Sequence, residues 1–185
     1  MPITKERIRT LVEEILKDAG IDSPPVPVDV LIRRQGIQIA RKHLDDETSG
    51  FVYVDSKTDS TVIGLNVSHS KTRQRFTLAH ELGHFVMHKT SGGHLHVDEK
   101  DFFVRFRDKH SGDGSDQQEK EANAFAAELL MPKSFLERDV KQLKEGVSIS
   151  DEKAIRSMAN RYGVSLQALL FRLGNLNLLE GSFSL

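Results

Sequence analysis

The sequence contains no cysteine and no tryptophan among its 185 residues. The lack of cysteine excludes a disulfide framework and any zinc site built from thiolates. No run approaches the roughly 20 apolar residues that a membrane-spanning helix needs, and residues 1–7 lack the apolar core of a signal peptide. An excess of one charge is also missing, because 26 basic and 27 acidic residues leave a net charge of −1. These absences predict a cytoplasmic protein without a membrane partner or a global basic surface for nucleic acid.

What the sequence does contain is an H-E-x-x-H pattern formed by His80, Glu81 and His84. In a helix the two histidines lie one turn apart on the same face, where both can bind zinc. Between Phe76 and His88 there is no lysine or arginine, and apolar residues cover more than half of the helix circumference. A buried carboxylate beside imidazoles is costly unless a cation compensates for it. The pattern predicts one Zn²⁺ ion with Glu81 as the catalytic base; the alternative is a pair of hydrogen-bonded core histidines.

A catalytic zinc ion usually takes three protein ligands and leaves its fourth position to water. His88 is about 12 Å from His80 along the helix axis, too far to share the ion, so we expect it either to be structural or to contact a ligand of the ion. A second helix is predicted over residues 119–132, and its apolar stripe places Glu119 nearer to the core than the two later glutamates. Glu119 is therefore the predicted third ligand, with Glu121 as the fallback; the alternative is a solvated carboxylate at a helix start. Asn123, one turn after Glu119, is expected to orient a ligating histidine.

Two segments together, Arg73–His84 and Glu119–Pro132, closely resemble the ImmA/IrrE family of zinc metallopeptidases. The resemblance implies a compact peptidase related to the thermolysin-like group. It also implies that His80 and His84 are zinc ligands, that Glu81 is the base and that Glu119 is the acidic ligand. The partner that the resemblance implies is a helix-turn-helix transcriptional repressor, which such proteins cleave or antagonise.

The remaining pattern predicts an α+β fold. Three short strands rich in β-branched residues are expected at Ile37–Arg41, Gly50–Asp55 and Thr61–Val67. They form a small three-stranded sheet packed on the buried metal-binding helix, as in zincins, followed by a C-terminal helical, helix-turn-helix-like subdomain. We expect the metallopeptidase domain to cover residues 1–132 and the helical subdomain to cover 133–185.

Two regions are expected to contact the substrate. In peptidases related to thermolysin an edge strand binds extended substrate, and the resemblance makes Gly50–Asp55 the candidate; the alternative is an internal strand. The polar stretch 89–118 is predicted to be a loop that forms a lid or a substrate wall. Its histidines, His94, His96 and His110, are expected to be solvated.

The sequence thus predicts a zinc-dependent endopeptidase that cleaves an intracellular protein. An oxyanion donor is also needed, and by residue type Tyr53, Arg75, His88 and Tyr162 all qualify. Two alternatives stay open: an anti-repressor that acts by binding alone, and a DNA-binding regulator that uses the helix-turn-helix-like residues 159–170. The positive charge after residue 132 is too weak to mark a phosphate-binding face, so we expect these helices to be a packing hairpin.

Overall fold

The computed structural model describes residues 2–55, 57–58, 60–88, 95–99, 114–142 and 152–179, with the backbone alone for 95–99 and 114–116. The helices and strands of these residues confirm the predicted α+β class. In chain order they are α1 (Lys5–Ala19), α2 (Val28–Arg34), β1 (Gln38–Lys42), β2 (Thr48–Asp55), β3 (Ser60–Asn66), α3 (Lys71–Met87), β4 (Leu95–Glu99), α4 (Gly114–Leu130), α5 (Lys133–Gln142), α6 (Glu152–Tyr162) and α7 (Leu166–Asn175).

The sheet has the strand order β1-β3-β2-β4. Strand β1 runs parallel to β3, whereas β2 is antiparallel to both of its neighbours, β3 and β4. The three strands that the sequence predicts are all present. Strand β4 is an addition to them, and it comes from the stretch 89–118 that the sequence predicts to be a loop.

The prediction that residues 50–55 form an edge strand is wrong, because β2 is paired on both sides. Gly50, for example, stands opposite Leu65 of β3 and Asp98 of β4. In the described part of the chain the edges of the sheet are β1 and β4. An edge strand that binds substrate must therefore be sought outside β2.

One face of the sheet packs on the helices. Val52, Ile63 and Leu65 are buried in the core, and the residues between them point to the opposite face because side chains alternate along a strand. Helix α3 packs against β2 and β3 on one side and against α4 on another. The H-E-x-x-H helix therefore lies between the sheet and the helix that carries Glu119.

Helix α1 covers α4 from the outside. Its first turn is capped by Thr4, whose hydroxyl accepts a hydrogen bond from the backbone N–H of Arg7 at 3.2 Å. Its end is set by Gly20, which adopts a left-handed conformation with φ of 68°, the usual helix stop. The buried face consists of Ile8, Val12 and Leu16, as the sequence pattern predicts.

The side chain of Asn66 links the segment before β2 to the segment after β3 by hydrogen bonds. Its amide nitrogen donates to the carbonyl oxygens of Asp45 (2.9 Å) and Thr48 (2.8 Å). Its carbonyl oxygen accepts from the backbone N–H groups of Leu44 (3.3 Å) and Ser68 (3.0 Å). The residue is fully buried, so these four bonds fix the start of β2 relative to the end of β3.

We expect Asn66→Ala to lower the free energy of unfolding by about 2–4 kcal/mol, since it strands several buried backbone groups. Chemical denaturation of the purified protein measures this loss. Asn160→Ala, at an exposed position of α6, is the control and should change stability by less than about 0.5 kcal/mol. Equal stabilities for the two variants would contradict the role given to Asn66.

Helices α6 and α7 form the helix-turn-helix-like pair. Gly163, with φ of 65°, lies in the turn, and Ser165 caps α7 by accepting from the N–H of Ala168 at 3.1 Å. The buried faces of the two helices join the same hydrophobic core as α3 and α4 through Ile155, Met158, Ala159, Tyr162, Leu169 and Leu173. This burial is consistent with the expected packing hairpin. No helix in the described ranges has the length and apolar character needed to cross a membrane.

Candidate metal centre

The predicted metal-binding residues lie on the most buried part of α3. The helix begins after Ser70, whose hydroxyl accepts from the N–H of Arg73 at 3.3 Å. The side chains of His80 and Glu81 are fully buried, and His84 is 5% exposed. Burial of polar and ionisable side chains costs free energy unless a partner or an ion compensates for it. Their presence at the centre of a buried helix therefore indicates a functional role.

Three donor groups converge at this point. Nε2 of His80 and Nε2 of His84 are 2.9 Å apart. The carboxylate of Glu119 on α4 places Oε2 3.4 Å from Nε2 of His80 and Oε1 3.2 Å from Nε2 of His84. These three residues form a group that could hold a metal ion.

The spacing of the three donors fits zinc. Bonds of about 2.0–2.1 Å in a tetrahedral site separate the ligand atoms by about 3.3 Å, close to the observed distances of 2.9–3.4 Å. Two imidazole nitrogens and one carboxylate are also a donor set typical of catalytic zinc, which keeps its fourth position for water or substrate. A group with all four positions filled by protein would instead indicate a structural ion.

Strand β2 comes close to Glu81 at a glycine. A Cβ atom at residue 50 would lie 2.5 Å from Cγ2 of Thr77, 2.8 Å from the carbonyl oxygen of Gly64 and 3.9 Å from Cγ of Glu81. Only glycine fits between the sheet and α3 here without a shift of the backbone. Gly50 is not among the site residues predicted from the sequence, although a glycine inside a strand pattern is a recognised sign of such a close approach.

The three glutamates of α4 have separate surroundings. The sequence argument that Glu119 is nearest to the core is wrong, because Glu121 and Glu128 are each 5% exposed whereas the Glu119 side chain is 31% exposed. Glu128 accepts a hydrogen bond from the N–H of Lys133 at 2.9 Å and pairs with Arg172 of α7. Burial therefore does not single out the glutamate that faces the two histidines; the fold does.

The fallback ligand, Glu121, is not in the group of converging donors and is held by other partners. Its Oε1 accepts from the backbone N–H of Ile3 at 2.7 Å and from Nε2 of Gln117 at 2.8 Å. Its Oε2 lies 3.6 Å from Nε2 of His88. Asn123, the expected partner of a ligating histidine, keeps its Oδ1 buried without a hydrogen bond to any described residue, so the expected contact is not seen.

Two candidates for the oxyanion donor, Arg75 and Tyr162, make hydrogen bonds that position the C-terminal helices. Arg75 donates to the carbonyl oxygens of Gly163 and Val26, both at 3.1 Å, and burial lowers the pKa of its guanidinium. Tyr162 donates its hydroxyl to Asp139 at 2.8 Å. Burial, together with this hydrogen bond, raises the pKa of Tyr162, so the phenol stays protonated near neutral pH. Both side chains are committed to structural contacts.

The other two candidates differ. Tyr53 is 43% exposed and lies next to core-facing Val52, so it points to the face of the sheet opposite α3. His88 directly follows α3, and its ring lies 5.6 Å from that of His84. His88 is thus close to one of the candidate metal ligands. Two histidines of the 89–118 stretch, His94 and His110, lie outside the described residues, as does the side chain of His96.

Gly83 allows α3 and α4 to approach each other within the metal-binding motif. A Cβ atom at this position would lie 3.0 Å from Cδ1 of Phe125 and 3.3 Å from Cα of Ala122. A larger side chain would push against the backbone of α4 three residues after Glu119. The close packing of the two helices and the convergence of the donors therefore depend on the same glycine.

We expect Gly83→Val to lower the free energy of unfolding by about 1–3 kcal/mol through overpacking, and to weaken zinc binding because α4 is displaced. Thermal unfolding without metal and a zinc titration measure the two effects. The control is Gly174→Val on α7, where the nearest atom to an added Cβ is 3.9 Å away. If both variants unfold and bind zinc alike, the close approach at Gly83 has no such role.

Comparison with known proteins adds two findings. A family model described as the IrrE N-terminal-like domain, Peptidase_M78, matches residues 32–174. Among eleven matching chains of solved structures is a Mycobacterium tuberculosis transcriptional regulator, 20% identical with a TM-score of 0.61, which shows a shared fold. The match covers 91% of this chain but only 46% of that regulator. Comparison with curated proteins gave no match.

Proposed function

Because this chain belongs to the Peptidase_M78 family of IrrE N-terminal-like domains, we propose that it is a zinc-dependent endopeptidase whose substrate is a helix-turn-helix transcriptional repressor. The family match confirms the resemblance drawn from the two sequence segments. The observation that carries the proposal is the convergence of His80, His84 and Glu119 beside the buried Glu81. The shared fold with a protein named as a transcriptional regulator supports the regulatory part.

In this proposal His80, His84 and Glu119 would hold one zinc ion. When bound, the ion would supply Lewis acidity and would make water more acidic, so that it can act as a nucleophile near neutral pH. Glu81 follows His80 directly on the helix and is fully buried, and its carboxylate would take a proton from the attacking water. The water oxygen bonds to the scissile carbonyl carbon, the C–N bond breaks, and Glu81 delivers the proton to the leaving amine.

Substrate positioning is assigned to the β4 edge instead of β2. Strand β4 pairs with β2 so that Asp98 stands opposite Gly50, and Gly50 is the residue at which the sheet approaches Glu81. On its other side β4 pairs with no described strand. An extended peptide that adds to this edge would gain main-chain hydrogen bonds and would run past the metal-binding helix.

The helix-turn-helix-like pair is not assigned a DNA-binding role. Exposed Phe171 on α7 is apolar, and Arg172 on the same helix is committed to Glu128 and to the carbonyl oxygen of Met131 at 3.2 Å. Phosphate contacts require exposed basic side chains, and the exposed Arg156 and Arg161 of α6 are each paired with an acidic group, Glu152 and Asp139. A repressor substrate would place the reaction in the cytoplasm, where repressors act.

The test is co-expression of the chain with the repressors encoded next to its gene, followed by mass spectrometry of the fragments. We expect one repressor to be cut at a single bond, and the cut to disappear when a zinc chelator is added to the purified components. A repressor that leaves its operator while its chain stays intact would overturn the peptidase proposal in favour of control by binding alone.

A further inference from the structure

A hydrogen bond joins a segment outside the family domain to the helix that carries Glu119. The backbone N–H of Ile3 donates a hydrogen bond of 2.7 Å to Oε1 of Glu121. The family model matches residues 32–174, so residues 2–4, which we call the N-terminal latch, and all of α1 lie outside it. Glu121, by contrast, is two residues after Glu119 on α4.

The carboxylate of Glu121 joins three parts of the structure. It is 5% exposed, and its Oε1 binds both the latch and the Gln117 side chain of its own helix. Its Oε2 lies 3.6 Å from Nε2 of His88, the residue that follows α3, one turn after His84. The middle of α4, the residue that follows α3 and the latch therefore meet at one buried acidic group.

This junction fixes the position of Glu119. A helix is stiff over two residues, so a shift of α4 at Glu121 moves Glu119 by a similar distance. The Glu119 oxygens lie 3.2 Å and 3.4 Å from the two imidazole nitrogens, and metal–ligand distances in zinc sites stay within about 0.2 Å of their standard values. The latch itself is held in place, because Thr4 caps α1 and Ile3 packs against the core.

We propose that Glu121 is a positioning residue for the metal centre, and that the N-terminal latch supports zinc binding through it. The inference rests on the proposed function, since it assumes that His80, His84 and Glu119 bind zinc. It gives a segment beyond the family domain a role in the metal affinity of that domain. Glu121 itself does not contact the ion; its effect passes through the position of α4.

The experiment compares two substitutions of one residue in the full chain. Ile3→Pro removes the N–H donor, whereas Ile3→Ala keeps the donor and shortens the side chain. We measure the zinc Kd by competition with a chromophoric chelator and the Tm of the metal-free protein. Loss of a group that orients a ligand typically costs about 10–100-fold in metal affinity. We expect a loss of about tenfold for Ile3→Pro and less than threefold for Ile3→Ala.

Glu121→Ala and Glu121→Gln give a second, independent pair. The alanine variant loses the acceptor and should weaken zinc binding at least as much as Ile3→Pro, whereas glutamine keeps an oxygen acceptor and should lose less. A fall in metal-free Tm with an unchanged zinc Kd in Ile3→Pro and Glu121→Ala would show a merely structural contact and overturn the inference. Unchanged Kd and Tm would overturn it as well. If the unaltered chain binds no zinc, the proposed function itself fails.

Discussion

Replacing Glu81 by glutamine is expected to leave zinc bound and to slow cleavage of the repressor by about 10²–10⁴-fold, the usual contribution of a general base. Glutamine has nearly the same shape as glutamate, so the fully buried position is still filled and the donors of His80, His84 and Glu119 keep their places. What it loses is the ability to accept a proton. The expected loss is therefore one of turnover, with little change in metal content.

Cleavage rates with the purified repressor as substrate, together with zinc content by mass spectrometry, measure both parts of this expectation. The matched control is Glu14→Gln, the same change on the exposed face of α1, which should cleave at the rate of the unaltered chain. A Glu81→Gln protein that still cleaves within a factor of about five, well short of a general base's usual contribution, would remove Glu81 from the mechanism. One that has lost its zinc would give Glu81 a structural role instead.

Replacing His84 by alanine is expected to abolish stoichiometric zinc binding and, with it, detectable cleavage. The change removes one of three donors, and His80 and Glu119 alone do not make up the usual three protein ligands of catalytic zinc. Loss of a group that only orients a ligand costs about 10–100-fold in affinity, so loss of a ligand itself should cost more. Zinc content after dialysis against a weak chelator measures the effect.

The control for this experiment is His43→Ala. His43 is exposed, and its Nδ1 lies 3.1 Å from the hydroxyl of Ser68, far along the chain from the donor group. This variant should keep one zinc ion per chain and full cleavage. Retention of zinc by His84→Ala at the level of His43→Ala would contradict the assigned ligand set.

The sequence was sufficient to predict the helices that carry the site, because each has a strong local pattern. The i, i+4 spacing of His80 and His84 requires only that α3 be helical, and the absence of basic residues around them indicated its burial. The α+β class and three of the strands followed from β-branched segments between polar turns. The roles of His80, Glu81, His84 and Glu119 at the metal stay predictions, although the structure brings their side chains together.

Other features depend on contacts between distant parts of the chain. The apolar stripe of α4 predicted the wrong order of burial for its three glutamates. Glu121 is covered by the segment at Ile3, and Glu128 is covered by Arg172 of α7. No pattern within α4 reports either partner. Strand β4 was not predicted because it forms by pairing with β2, which is distant in the chain. The same pairing makes β2 an internal strand. The division into domains at residue 132 stays a prediction.

The packing of the last three helices has a practical consequence for anyone who shortens this protein. Arg75 of α3 reaches the carbonyl oxygen of Gly163, and Arg172 of α7 reaches Glu128 of α4. A chain cut after Pro132 would leave Arg75 and Glu128 without these partners. It would also expose to solvent the apolar surface that α3 and α4 share with the C-terminal helices in the core. Crystallisation trials, enzymology and inhibitor screens should therefore begin with all 185 residues.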